Sequence, residues 1–238
     1  MKLNEEGFVA IDIRIGRLGK VDDYFKKYPD RLNQKIFLSD EFGAPKNHSA
    51  LELAVVFGHQ SVLRWLVKKG AVETPQSSPN LLIFAVNQQN EEMIKTLSLL
   101  GFNPWKQTEI GVCPMSLAVS LGWDRGLSVW RQEGVSLKKR TPSGGNLFHD
   151  LVEKSHNLPE KQLLHLCNYL FECGVKWTKD KNGRLPLELA SASLPKQTRT
   201  AIFELVQRYE AKAAKSKLTK VLASGPTKEV SPKKNRYI

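Results

Sequence analysis

Residues 182–190, NGRLPLELA, set a proline between two leucines and close on Leu-Ala. In isolation such a string is an accident of composition, but a second copy at a fixed interval would make it architecture. Residues 113–118, CPMSLA, keep the proline, the apolar residue after it and the Leu-Ala pair. Residues 49–54, SALELA, keep all but the proline.

Aligning the chain on the small residue that closes each string extends the pattern to five copies, ending at Ala54, Ala85, Ala118, Leu151 and Ala190. The spacings, by subtraction, are 31, 33, 33 and 39 residues. Gly70, Gly101 and Gly134 each follow 16 residues after the first three closing alanines. Gly174 repeats the relation after an insertion of about seven residues centred on SHNLPEK. A fixed period in this range is the signature of a stacked repeat, in which one supersecondary unit recurs because it cannot bury its apolar face alone.

Composition bounds the rest. The 238 residues are 41% hydrophobic and 25% charged, enough apolar content for a packed core. The first twenty residues carry acidic side chains before any apolar run and no long uninterrupted hydrophobic segment. Neither a secretory leader nor a membrane span is expected, and a cytoplasmic location follows as the default. Cys113, Cys167 and Cys173 are too few and too irregular for a disulfide framework or a zinc site, so buried thiols are expected.

The repeated strings resemble the ankyrin-repeat family, whose unit of about 33 residues opens a helix-turn-helix with Thr-Pro-Leu-His-x-Ala. The resemblance covers residues 49–206 and implies an all-α ankyrin-repeat solenoid of about five helix-turn-helix units. Ser or Asn caps the first helix of a unit, and proline is tolerated at its first turn because the N–H there needs no partner. Leu51, Leu82, Met115, Phe148 and Leu187 are predicted to face the core, and the closing alanines let neighbouring units approach. Residues 57–71, FGHQSVLRWLVKKGA, complete the unit. Gly58 ends the first helix, Val62, Leu63, Leu66 and Val67 form the apolar face of the second, and Gly70 ends that one in a left-handed turn.

Departures from the family pattern are as specific as the matches. Only His149 keeps the family's histidine, Gln89 stands at the turn glycine of the second unit, and the fourth unit has Leu151 for alanine plus the insertion. Residues 1–48 have the shape of a degenerate capping unit, with Gly19 in the role of Gly58 and Val21, Tyr24 and Phe25 on its second helix. Trp65 and Trp130 fall on second-helix apolar faces, and Trp123 is expected half-exposed in a turn. The predicted domains are therefore a cap at 1–48, the solenoid at 49–210 and a basic tail at 211–238. The tail carries eight Lys or Arg and one Glu, and it is expected to be disordered from Ser224.

The resemblance implies a non-enzymatic protein-recognition module, read through the fingers between units. Those are residues 71–80, 102–112, 135–145 and 175–184, whose net charges are −1, 0, +3 and +3. The candidate partner-binding residues are accordingly Trp105, Lys106, Lys138, Lys139, Arg140, Lys176, Trp177, Lys179 and Arg184. Aromatic and basic side chains together are the usual composition of interface anchors. The competing account is that the tryptophans pack back onto the helices and the lysines are merely solvated.

An enzyme finds no support in the sequence. The histidines His48, His59, His149, His156 and His165 lack partners at metal-ligand spacing, and neither a phosphate-binding loop nor a nucleophile elbow occurs. No cofactor is expected. A monomer that captures a protein with an acidic surface is the leading expectation. The alternatives are a nucleic-acid-associated accessory protein, given a net charge of +12, and a bacterial or viral effector that engages a host protein.

Overall fold

The computed structural model describes residues 5–36, 48–73, 80–108, 111–141, 143–190 and 194–223. Helices come in pairs. The first helices are α1 (Glu5–Arg14), α3 (Ala50–Val56), α5 (Leu81–Asn87), α7 (Pro114–Ser120) and α9 (Leu147–Glu153). Each is followed by a second: α2 (Leu18–Lys27), α4 (Gln60–Lys68), α6 (Glu91–Leu99), α8 (Asp124–Gln132) and α10 (Glu160–Glu172). Short 3-10 turns at Pro29–Arg31 and Ser155–Asn157, a further 3-10 turn at Pro186–Leu189 in the place of the fifth unit's first helix, and the long α11 (Lys196–Ala223) complete the order. First helices stack in sequence from α1 through α9 to the Pro186–Leu189 turn, and second helices stack from α2 through α8. The described structure is thus the all-α solenoid of helix pairs that the repeat spacing predicts.

The glycines explain why the α3–α4 and α7–α8 pairs turn at the same place. Gly58 and Gly122 have φ of 77° and 73°, and the amide three residues past each helix end donates to a carbonyl five residues back. Thus His59 N–H meets the Ala54 carbonyl at 2.8 Å and Trp123 N–H meets that of Ala118 at 2.9 Å. A left-handed residue is what lets the chain reverse over its own last turn and satisfy that carbonyl. Gln89 occupies this position in the second unit at φ 50°, the one non-glycine in the left-handed region among the described residues, and Asn90 N–H still reaches the Ala85 carbonyl. A side chain there costs on the order of 1 kcal/mol, partly offset by glycine's freedom in the unfolded chain. Gln89→Gly should therefore raise the melting temperature by a degree or two; a lower value would show that the glutamine makes a compensating contact.

Caps follow the sequence closely. Ser49 and Glu52 form a reciprocal capping box on α3, Asn80 accepts from Leu82 N–H, Asn146 from Phe148 N–H, and Pro114 opens α7. Ala54, Ala85 and Ala118 are fully buried between neighbouring first helices. His149 Nδ1 accepts from Asn146 N–H at 3.0 Å, so its Nε2 carries the proton and donates to the Arg184 carbonyl at 3.1 Å. One imidazole thereby closes its own helix and ties the fourth unit to the fifth.

Four local expectations are corrected. In the N-terminal unit the turn glycine is Gly16, at φ 74°, while Gly19 lies inside α2. Trp123 is buried: its indole folds over Gly126, where a Cβ would lie 2.4 Å from the ring. Leu187 is half-buried and Pro186 takes the buried place. The fifth unit has only a 3-10 turn because Ala190 is extended (φ −58°, ψ 128°) and no glycine follows before Pro195. The expected tail from Ser224 lies outside the described residues. A short antiparallel ladder, β1 (Lys35–Ile36) with β2 (His48–Ser49), was not foreseen.

Chain contacts divide the protein into two compact units, Met1–Leu194 and Pro195–Ile238. In the second, Ile202 and Val206 of α11 are buried, whereas every residue from 211 to 220 is exposed. No described helix is long and apolar enough to cross a membrane.

Candidate interaction surfaces

The fingers are joined to one another by backbone-directed bonds, and several candidate residues make those bonds. Trp105 is half-buried, its indole N–H donating to the Ser136 carbonyl at 3.1 Å. Lys106 reaches back to Glu73 at 3.1 Å. Arg140 donates from Nη1 to the carbonyls of Gly144 (3.0 Å) and Lys179 (2.8 Å), bridging residues 135–145 to residues 175–184. Arg184 holds Asp180 through Nε and Nη2 at 3.1 and 3.0 Å. The Asp180 carboxylate also accepts from the amides of Asn182 and Arg184, so the two residues clamp their own turn. Trp177 is half-buried, with its ring 5.0 Å from Phe148 and 6.1 Å from Phe171.

The lysines differ in kind. Lys138, Lys139, Lys176 and Lys179 are exposed, and their ammonium groups have no carboxylate partner among the described residues. Lys138 passes over Gly174, whose added Cβ would sit 3.0 Å from its Nζ. Asn146 Nδ2 donates to the Lys176 carbonyl at 2.7 Å and fixes the start of the last finger. The arrangement is a basic surface on two fingers whose backbones are held in register before any ligand arrives. Arginine's planar fork suits the bridging role, while the lysines remain solvated point charges.

A second feature lies outside the fingers and was missed. Between α7 and α9 runs a groove of about 690 Å³, walled by Val112, Leu117, Leu121 and Leu158, with Ser116 and Asp150 on its polar side. Asp150 is 8% exposed, and its Oδ2 has no hydrogen-bond partner among the described residues. Burial pushes its carboxyl up to about 6, against the opposing hydrogen bond from Ser116. The signal was present in NLFHDL, where a charged residue directly follows the helix-start histidine within an apolar run.

His48, Glu52 and the thiols have structural roles, although Glu52 Oε1 and His48 Nε2, like Asp150 Oδ2, have no hydrogen-bond partner among the described residues. His48 Nδ1 lies 2.8 Å from Glu52 Oε2, which also accepts from Ser49 N–H, so this buried pair completes the cap of α3. Cys113 and Cys167 are buried and burial raises both thiols, Cys167 to about 12; Cys173 is half-buried instead. No group of metal-ligating side chains occurs among the described residues.

No protein-family model matches the sequence, and no curated protein matches it. Among solved structures, the chain is similar to a chain of the complex of the Bd0816 predatory endopeptidase from Bdellovibrio bacteriovorus with immunity protein Bd3460. The TM-score is 0.55 at 17% identity, over 82% of this chain and 96% of that one. It is also similar to the ankyrin repeat domain of Bcl-3, a member of the IkappaB protein family, with a TM-score of 0.49 and 19% identity over 83% and 96% of the two chains. The chain has an ankyrin-like repeat fold. In all, 212 solved chains match, and so widely used a scaffold does not assign a role by itself.

Proposed function

We propose that this chain is a non-enzymatic binding module that captures a protein partner bearing an acidic patch, through the basic surface of residues 135–145 and 175–184. The observation that carries the reading is the Arg140 bridge: it orders two adjacent fingers while leaving Lys138, Lys139, Lys176 and Lys179 exposed. A surface fixed in advance loses little entropy on binding, which is how stacked repeats support recognition without chemistry of their own. Similarity to a chain in a two-protein complex is consistent with this role. Adaptor, inhibitor and effector are all forms it could take.

Nucleic acid is the second reading, favoured by the exposed Lys212, Lys215, Lys217 and Lys220 on a stretch of α11 that has no acidic residue. One experiment separates the two. Partners captured by the full chain from nuclease-treated extract are compared with a duplex DNA probe at 50 and 200 mM salt. Lys139→Glu with Lys179→Glu should slow association with the protein partner about tenfold while leaving dissociation nearly unchanged, as charges at an interface rim do. Capture abolished by nuclease, or DNA affinity falling by about a thousandfold or more between the two salt concentrations with no protein retained, would replace the protein reading by the nucleic-acid one.

A further inference from the structure

We infer that the α7–α9 groove is a subsite for a basic side chain, arginine or lysine, presented by an extended segment of a protein partner, with Asp150 as its counter-charge. The inference rests on the reading of the chain as a protein-binding module, but it uses a different surface from the basic fingers.

The groove matches such a side chain part by part. Its volume, about 690 Å³, lies in the range that holds ligands of several residues' bulk. Val112, Leu117, Leu121 and Leu158 offer apolar contact to a methylene stem, and Leu121 is itself 37% exposed at the edge. At the end of that stem a guanidinium or ammonium would find the Asp150 carboxyl. Ser116 satisfies part of that carboxyl, while Oδ2 has no partner although it is shielded from solvent. A buried acceptor without a donor is costly, and a charged donor supplied by a partner is the group that relieves it most.

Charge selects the occupant. The protein carries +12 overall, yet the groove presents Asp150 and Glu153 against the single cation Lys154. An acidic segment would be repelled, and a purely apolar one would leave Oδ2 buried and unpaired. An aliphatic stem ending in a positive charge satisfies both walls and floor, and long basic side chains do bury their stems in this way. The titratable and charged groups around the carboxyl are Glu153 and Lys154 on its own side and the Cys113 thiol across the groove. Burial raises that thiol, so it stays neutral across the tested pH range.

The test uses the full chain, isotope-labelled for amide NMR, and the blocked pentapeptide Ala-Ala-Arg-Ala-Ala. Its control replaces arginine by norleucine, which keeps the stem and removes the charge. At pH 7.5 the arginine peptide should shift the amides of Ser116, Leu117 and Asp150 saturably and bind at least about fivefold more tightly than the control. Asp150→Asn, which keeps the shape, should erase that preference, and so should lowering the pH of the parent to 5. Lys139→Glu should leave it untouched, so failure here is distinguishable from failure of the finger surface. Equal binding of the two peptides, a preference that survives in Asp150→Asn, or shifts confined to the fingers would overturn the inference.

Discussion

Asp150→Asn should unfold at a higher urea concentration than the parent at pH 8, by the equivalent of about 2 kcal/mol, and most of that gain should be gone at pH 4. The reason is the desolvation of a carboxylate on the first-helix face. Burial moves the Asp150 carboxyl from its ordinary 3.8 to about 6. The folded protein therefore binds this proton more tightly than the unfolded chain does. Below about pH 4 both states hold the proton and no penalty exists. Between about 4 and 6 the unfolded chain has released it while the folded one must give up binding energy to do so, and stability falls. Above about 6 the full penalty is present, roughly 3 kcal/mol for a shift of this size. The amide of asparagine needs partners of its own, which reduces the recoverable part to about 2 kcal/mol. An unchanged midpoint at pH 8 would mean that water reaches Oδ2 freely, and the groove would then hold no unmet charge for a partner to satisfy.

Stability lost at one buried carboxylate is what a recognition site looks like in an otherwise consistent repeat. Elsewhere on the first-helix face the polar groups cap helices: Glu52 serves Ser49, and His149 serves Asn146 and Arg184. Asp150 sits one residue beyond that role and caps nothing.

Helix pairing was legible because it depends on local chemistry repeated at fixed intervals. The left-handed turns at Gly58, Gln89 and Gly122, the caps at Ser49, Asn80 and Asn146, and the close approaches at Ala54, Ala85 and Ala118 name their positions. Gly16 against Gly19 shows the limit: two glycines three residues apart are equivalent in composition, and only the turn at Gly16, with α2 starting at Leu18, decides between them. Trp123 was misplaced for a related reason. Its burial depends on Gly126 opening a space for the indole, a contact three residues away that hydropathy does not report.

The finger surface was legible as charge and not as geometry. Counting lysines and arginines gives the same value whether a side chain points to solvent or holds a neighbour's carbonyl. Arg140 and Arg184 hold backbone and turn, whereas Lys139 and Lys179 do not, and the distinction requires knowing which carbonyls lie within reach. Asp150 was visible in NLFHDL, but the groove around it was not, because its two walls come from α7 and α9, more than thirty residues apart in sequence.

Phe148→Ala should cost about 3–5 kcal/mol in urea unfolding followed by circular dichroism. Phe148 is fully buried on α9, 4.5 Å from the ring of Phe171 on α10 and 5.0 Å from that of Trp177 in the last finger. Removing it leaves a cavity bordered by two rings, and each aromatic pair adds to the loss beyond the area exposed. Because stacked repeats are stabilised by contacts with their neighbours alone, damage at this position should also uncouple the fifth unit from the fourth. A broadened or two-step transition is expected, the first step carrying a red shift of Trp177 emission as the indole reaches water. Phe148→Leu, which fills most of the space, should keep one transition and lose much less. A loss below about 1 kcal/mol in the alanine variant would show that the cluster closes around the gap. The consequence extends to binding. Residues 175–184 are held from beneath by this cluster and from the side by Arg140, so the alanine variant should weaken capture of an acidic partner although it alters no exposed charge. Fingers that bind as the parent does after losing Phe148 would mean that the Arg140 bridge alone sets their register.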